Sequence, residues 1–105
     1  MDDFVIVLTT VPDDGALGKE LAHALVDERL AACVSMLPAM HSTYRWQDQV
    51  AQDTERQVII KTRRGHVEAI KERLRALHSY EVPELLVLPV AEGSSAYLDW
   101  VASST

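Results

Sequence analysis

The chain has 105 residues, 48% of them hydrophobic, and its ten basic and sixteen acidic side chains give a net charge of −6. This length is typical of one domain, so residues 1–105 are assigned to a single domain. The acidic balance argues against nucleic-acid binding as the main function. Cys33 is the only cysteine, which excludes an intrachain disulfide and is typical of a reducing compartment.

No segment near the start has the features of a membrane anchor or a secretion signal. The apolar run at residues 5–8 is too short to span a membrane. Asp2 and Asp3 differ from the basic residues that begin a signal peptide. We therefore expect a soluble, cytoplasmic protein without a membrane partner.

The first half of the chain predicts a strand, a helix and two further strands. Residues 4–10 are apolar and β-branched, which is typical of a central strand. Asp13 or Asp14 can cap the helix that follows, whose apolar stripe ends near residue 30. A second strand at residues 32–37 bends at Pro38 and continues through residues 42–46. The polar residues 47–54 predict a hairpin turn, and residues 55–62 its partner strand.

The second half predicts a helix, a strand and a short final helix. Apolar residues at positions 67, 70, 74 and 77 have helical spacing. A loop then leads to a strand at residues 85–90, and residues 93–95 begin a last helix with Tyr97, Trp100 and Val101 on its inner side. The order βαββαβ plus a terminal helix predicts an α+β, ferredoxin-like sandwich with an antiparallel sheet. Both crossover helices would cover one sheet face, so the other, apolar face predicts self-association.

Three stretches in register resemble a known family. They are LAACV at residues 30–34, STYRW at 42–46 and HSYEVPEL at 78–85. In this order and spacing they resemble the CutA family of divalent-cation tolerance proteins, over nearly the whole chain. The resemblance implies a homotrimer of ferredoxin-like protomers whose central hairpin pairs across protomers, with copper or another divalent metal bound. It also implies a likeness to PII signalling proteins, which bind small effectors between subunits.

The metal ligands of the family are only partly present in this chain. Some bacterial members are assigned a copper site of one cysteine and two adjacent histidines, whose positions here hold Thr9, Leu77 and His78. His78 and Cys33 are therefore the candidate metal ligands. A Cys33 thiolate would suit Cu(I), although the residue could equally be a small buried hydrophobe. His78 could equally be an exposed residue that ends a helix, where its cation is favoured by the dipole.

Six side chains are candidates for a ligand cleft between subunits. Four are aromatic and could instead simply bury area at an interface: Tyr44, Trp46, Tyr80 and Trp100. The other two are Lys61 and Glu81, since a charge on an apolar strand needs a partner. An inter-subunit salt bridge is the alternative for this pair.

No nucleophile with a base, paired carboxylates or phosphate-binding loop is recognisable, so the chain is predicted not to be an enzyme. The expected function is that of a CutA-like trimer that binds divalent or copper-type metal ions and serves metal tolerance. The alternative is a PII-like regulatory module that binds a small anionic effector in the inter-subunit cleft. The basic residues between positions 56 and 75 favour that alternative.

Overall fold

The computed structural model describes residues 3–105, so Asp2 lies outside it. Its elements follow the predicted order. They are β1 (Phe4–Pro12), α1 (Ala16–Asp27), β2 (Cys33–Met36), β3 (Met40–Trp46), β4 (Gln49–Arg63), a 3₁₀ turn (Arg64–His66), α2 (Val67–Leu77), β5 (Leu86–Pro89) and α3 (Ser95–Ser103).

All strands belong to one antiparallel sheet. The strand order is β2-β4-β1-β5, and β3 also pairs with β4. Strands β2 and β3 are two parts of one bent strand, interrupted where Pro38 removes a backbone donor. The predicted α+β, ferredoxin-like arrangement with a terminal helix is confirmed.

Alternation along β4 separates the two faces of the sheet. Val58, Ile60 and Thr62 are buried, and Val58 and Ile60 join the core formed with α1 and α2. The main helix residues in that core are Leu21, Leu25, Ile70 and Leu74. The intervening residues of β4 point the other way because successive side chains alternate. We call this second side the open face.

The open face is apolar at its middle and covered by α3 at one end. Leu86 and Leu88 are 54% and 45% exposed there. At the α3 end, the Lys61 ammonium lies 5.9 Å from the centre of the Tyr97 ring. Val101 is 3% exposed, as an inner residue of α3 should be. Tyr97 also faces the sheet through Lys61, although it is 43% exposed, and the 44% exposed Trp100 ring lies beside that of Tyr97.

The central hairpin is longer than the sequence suggested. Pairing extends from Met40 opposite Glu55 to Trp46 opposite Gln49, so the predicted turn at residues 47–54 is wrong. The turn consists of Gln47 and Asp48, whose φ angles of 51° and 64° are typical of a two-residue hairpin turn. Four of the six residues at positions 49–54 are polar, in keeping with the solvent exposure of most of this two-stranded ribbon. Their polarity therefore reflects solvation and not a turn.

The start of α1 is fixed by a carboxylate. The Ala16 N–H donates to Asp14 Oδ1 at 3.1 Å, while Gly15 takes the left-handed conformation between them with φ 75°. The predicted capping role is thus confirmed for Asp14. Asp13 instead accepts from Arg56 Nε at 2.8 Å.

Gly18 lies where α1 packs closely on the sheet. A Cβ atom there would overlap the Met36 sulfur, which must then move, and would lie 3.1 Å from Val11 Cγ2. We expect Gly18→Ala to lower the free energy of unfolding by up to about 2 kcal/mol, because the overpacking cost of about 1–3 kcal/mol is reduced by about 1 kcal/mol, which alanine gains over glycine within a helix. Urea denaturation measures this value. Gly65→Ala is the matched control, since a Cβ there meets nothing within 4 Å; an equal loss in both variants would contradict the packing argument.

Candidate functional site

The segment that joins α2 to β5 is held against the sheet by side-chain hydrogen bonds. We call its residues 78–84 the strap. His78 makes two of these bonds: Nδ1 accepts from the Tyr80 N–H at 3.0 Å, and Nε2 lies 2.5 Å from the Thr10 carbonyl oxygen. Because Nδ1 accepts, the proton of the neutral ring is on Nε2, which donates to Thr10. Both ring nitrogens are therefore occupied.

Two further hydrogen bonds join the strap to β4, one through Tyr80 and one through Glu84. The Tyr80 hydroxyl donates to Glu55 Oε2 at 3.0 Å. The Gln57 amide donates both to Glu84 Oε2 and to the Thr9 carbonyl oxygen, each at 2.8 Å. The strap is thus tied to β1 and β4 at three separate points.

A cleft of about 500 Å³ lies between the strap and the hairpin. It contains four of the six predicted cleft residues, which the strap and β3 bring together: Tyr44, Trp46, Tyr80 and Glu81. The remaining lining residues are Thr10, Ser42, Asp53, Glu55, Val82, Pro83 and Glu84. By strand alternation from Gln57, Glu55 belongs to the open face, so the cleft occupies the hairpin end of that face.

The cleft is acidic. Four of its lining side chains are carboxylates, Asp53, Glu55, Glu81 and Glu84, and no lysine, arginine or histidine is among the described residues that line it. Glu55 is 9% exposed. Such a concentration of negative charge produces a local potential that attracts cations.

Two tyrosine hydroxyls satisfy part of this negative charge. Burial raises the pKa of Tyr80, and its hydrogen bond to Glu55 raises it further. The hydrogen bond from the Tyr44 hydroxyl to Asp53 raises the pKa of Tyr44. Both phenols therefore remain protonated donors over the physiological range, and Asp53 and Glu55 act as acceptors.

The two predicted metal ligands are not brought together within one protomer. Cys33 pairs with Lys61 across β2 and β4, whereas His78 contacts Thr10, which pairs with Gln57. These positions are on opposite sides of β4 and about 13 Å apart along it. Across residues 3–105, no group of three or more histidine, cysteine or acidic side chains is placed to hold a metal ion.

Lys61 and Trp100 lie away from the cleft, at the α3 end of the open face. Lys61 faces Tyr97, whose ring centroid is 5.4 Å from that of Trp100. The six predicted cleft residues therefore divide into two groups at opposite ends of one surface.

Sequence reasoning missed Asp53, Glu55 and Gln57. Asp53 was not identified because its segment was interpreted as a turn. Glu55 and Gln57 could have been found by counting back from Lys61 two residues at a time along a strand, since these residues share one face. Glu84 lies in the HSYEVPEL segment but was not assigned to the cleft.

Comparison with known proteins gives one consistent match. The model of the family described as CutA1 divalent ion tolerance protein matches residues 5–104. The divalent-cation tolerance protein CutA of Thermus thermophilus is 47% identical, over 95% of this chain and 96% of that protein. The chloroplastic protein CutA of Arabidopsis thaliana is 45% identical, over 96% of this chain but 55% of that protein.

Solved structures agree with the sequence comparison. The crystal structure of CutA1 from Oryza sativa superposes with a TM-score of 0.93 at 41% identity, covering 98% of this chain and 94% of that one. The Thermus thermophilus structure gives 0.92 at 46% identity, covering 100% and 99%. No helix in residues 3–105 is long and apolar enough to cross a membrane. The cytoplasmic location and the lack of enzymatic activity stay predictions.

The raised pKa of Tyr80 should make the free energy of unfolding depend on pH in the alkaline range. An unfolded tyrosine loses its proton near pH 10, whereas folded Tyr80 keeps its proton to higher pH. The unfolded state therefore deprotonates first, and this contribution to stability falls as pH rises above about 10. We expect Tyr80→Phe to be less stable than the wild type at pH 8, with the two unfolding free energies converging above pH 10. Urea denaturation across this range measures both; parallel curves would contradict the assignment, and Tyr44→Phe, at a more exposed hydroxyl, should converge less.

Proposed function

Since the chain belongs to the CutA1 family of divalent ion tolerance proteins, we propose that it binds divalent cations weakly, copper among them, and serves tolerance to these ions. The acidic cleft is the observation that carries this proposal. Its four carboxylates face a hollow whose described lining contains no basic side chain. A divalent cation is attracted there by the summed field of these groups.

The chemistry of the donors explains why the binding is weak. Carboxylate oxygens suit hard divalent cations, and copper prefers imidazole nitrogen or thiolate sulfur. Glu55 and Glu84 already accept hydrogen bonds from Tyr80 and Gln57, and a bound cation must compete with these donors. The cation is thus cargo that exchanges with solvent. A copper ion held more tightly requires Cys33, or His78 after the loss of one of its two hydrogen bonds, together with ligands from a second protomer.

Assembly into a homotrimer belongs to the same proposal. The middle of the open face exposes Leu86 and Leu88, and an exposed apolar surface of this kind usually marks an interface. The cleft lies at one end of this face, whereas Cys33 and Lys61 lie toward the other. Packing of protomers through the open face can therefore bring these two residues toward a neighbouring cleft.

The alternative is a PII-like module with a small anionic effector between subunits. Within one protomer the cleft offers such an anion no basic side chain among its described lining residues. The effector model thus depends on a neighbouring Lys61, which lies on the open face. The position of Lys61 therefore supports the effector model, and the variant Lys61→Gln tests it.

Cation binding should depend on the cleft carboxylates. Calorimetric titration with Cu(II), Zn(II) and Mn(II) should show weak saturable binding. Glu55→Gln with Glu84→Gln should weaken it by up to about thirtyfold, because each contact between a carboxylate and a cation contributes about 1 kcal/mol at a partly exposed site and the double variant removes two. The double variant Glu68→Gln with Glu72→Gln on α2 removes the same charge outside the cleft, and it should bind as the wild type does.

Three results of this titration would count against the cation model. Equal weakening in both double variants would mean that only net charge matters. Retained binding that is lost in Cys33→Ser or His78→Ala would assign the metal to those residues instead. An absence of heat with every metal, combined with thermal stabilisation by nucleotides or carboxylates that Lys61→Gln abolishes, would support the effector model.

The trimer should depend on the apolar middle of the open face. Light scattering of the wild type at micromolar concentration should give three times the protomer mass. Leu86→Glu with Leu88→Glu should shift this toward the monomer, because buried unpaired charges are costly at an interface. Val26→Glu is the control, an equally exposed apolar residue on α1. A stable wild-type monomer would refute the assembly.

A further inference from the structure

A second hollow, of about 340 Å³, lies between the strap and α2. We call it the α2 groove. It shares Tyr80, Glu81 and Pro83 of the strap with the cleft, and α2 closes its other side. Leu85 and Pro83, which are both half-buried, provide apolar surface inside it, above the core residue Leu74. This volume is within the range of small-molecule sites.

The two walls of the α2 groove carry opposite charges. On α2, Lys71 and Arg75 are one helical turn apart and thus on the same side of the helix. On the strap, Glu81 provides a carboxylate. His78 contributes ring surface and no free nitrogen, since both of its nitrogens are bonded elsewhere.

The cations of α2 are available to a ligand. Lys71 pairs with Glu68 at 3.2 Å and Arg75 pairs with Glu72 at 2.6 Å, both within the helix surface. The Arg75 and Glu72 side chains are 71% and 70% exposed. Exposed pairs of this type contribute little free energy, so a ligand carboxylate can replace the glutamate without a large penalty.

We propose that the α2 groove binds a small zwitterion with an apolar side chain, of which an apolar α-amino acid is the simplest case. Its carboxylate pairs with Arg75, whose planar guanidinium can hold both oxygens, and with Lys71. Its ammonium pairs with Glu81, and its side chain packs on Leu85 and Pro83. This site lies on the other side of the strap from the acidic cleft, with Glu81 at the border of both, and requires neither a metal ion nor a second protomer.

Titration of the 105-residue chain with leucine, in metal-free buffer containing EDTA, tests the proposal. Calorimetry should show saturable binding, and amide NMR shifts should concentrate at residues 71–85. Arg75→Gln should weaken binding about threefold, the usual effect of losing an exposed charge pair. Lys19→Gln removes an exposed cation from α1 and should leave the affinity unchanged. Thermal melting should confirm that both variants fold.

Two leucine derivatives test the zwitterion directly. N-acetyl-leucine lacks the ammonium and leucinamide lacks the carboxylate, so each should bind about threefold more weakly than leucine, since the charge pairs at this surface are exposed. Glu81→Gln should remove the preference for leucine over N-acetyl-leucine. The proposal is overturned by an absence of saturable binding, by equal binding of all three compounds, or by shifts that concentrate at Thr10 and Ser42 in the cleft. Because no metal is present, failure here and failure of the cation proposal are distinguishable.

Discussion

The pairing of β1 with β4 is the interaction on which the rest of this structure depends. It runs in unbroken register from Phe4 opposite Arg63 to Pro12 opposite Glu55, and every other strand attaches to one of these two. The alternation that buries Val58 and Ile60 in the core also directs Glu55 and the neighbouring odd-numbered positions to the open face. A slip of one residue would exchange the two sets, so packing of the core fixes the cleft.

The strap converts that rigid sheet into two chemically different hollows. Its residues have no repeating backbone hydrogen bonds, and their positions are set by side chains that reach Thr10, Glu55 and Gln57. In the cleft, donated hydrogen bonds from two phenols and one amide offset the repulsion among clustered carboxylates. On the other side, the same strap faces the cations of α2. One short segment thus gives a cation-attracting surface and a surface of mixed charge.

The fold was predictable from the sequence because each element has a strong local signal. The β-branched run of β1 and the spacing of Ile70 and Leu74 in α2 required no tertiary information. The hairpin was misjudged because most of residues 49–54 are polar and solvent-exposed, and neither Gln47 nor Asp48 is the glycine that usually marks such a turn. For α3, the predicted inner side includes Val101, which is buried.

The site was predictable only in part. The aromatic side chains Tyr44, Trp46 and Tyr80 were identified from their residue type and family segment, and they do meet. Lys61 was assigned to the same cleft, but register places it beside Cys33, several pairs along β4. One of the two hydrogen bonds of His78 is to the Thr10 carbonyl, and these residues are separated by about two-thirds of the length of the sequence. Such long-range contacts have no signature in a single sequence.

The two-residue turn at Gln47 and Asp48 has a consequence for how the chain folds. It joins strands that are adjacent in sequence, so the β3–β4 hairpin can form by closing a very short loop, on the microsecond scale typical of hairpins. The β1–β4 ladder instead joins segments about half a chain length apart, and its loop entropy must be overcome before its contacts contribute. The hairpin is therefore positioned to form early and to act as the template on which β1, and then the strap, are added.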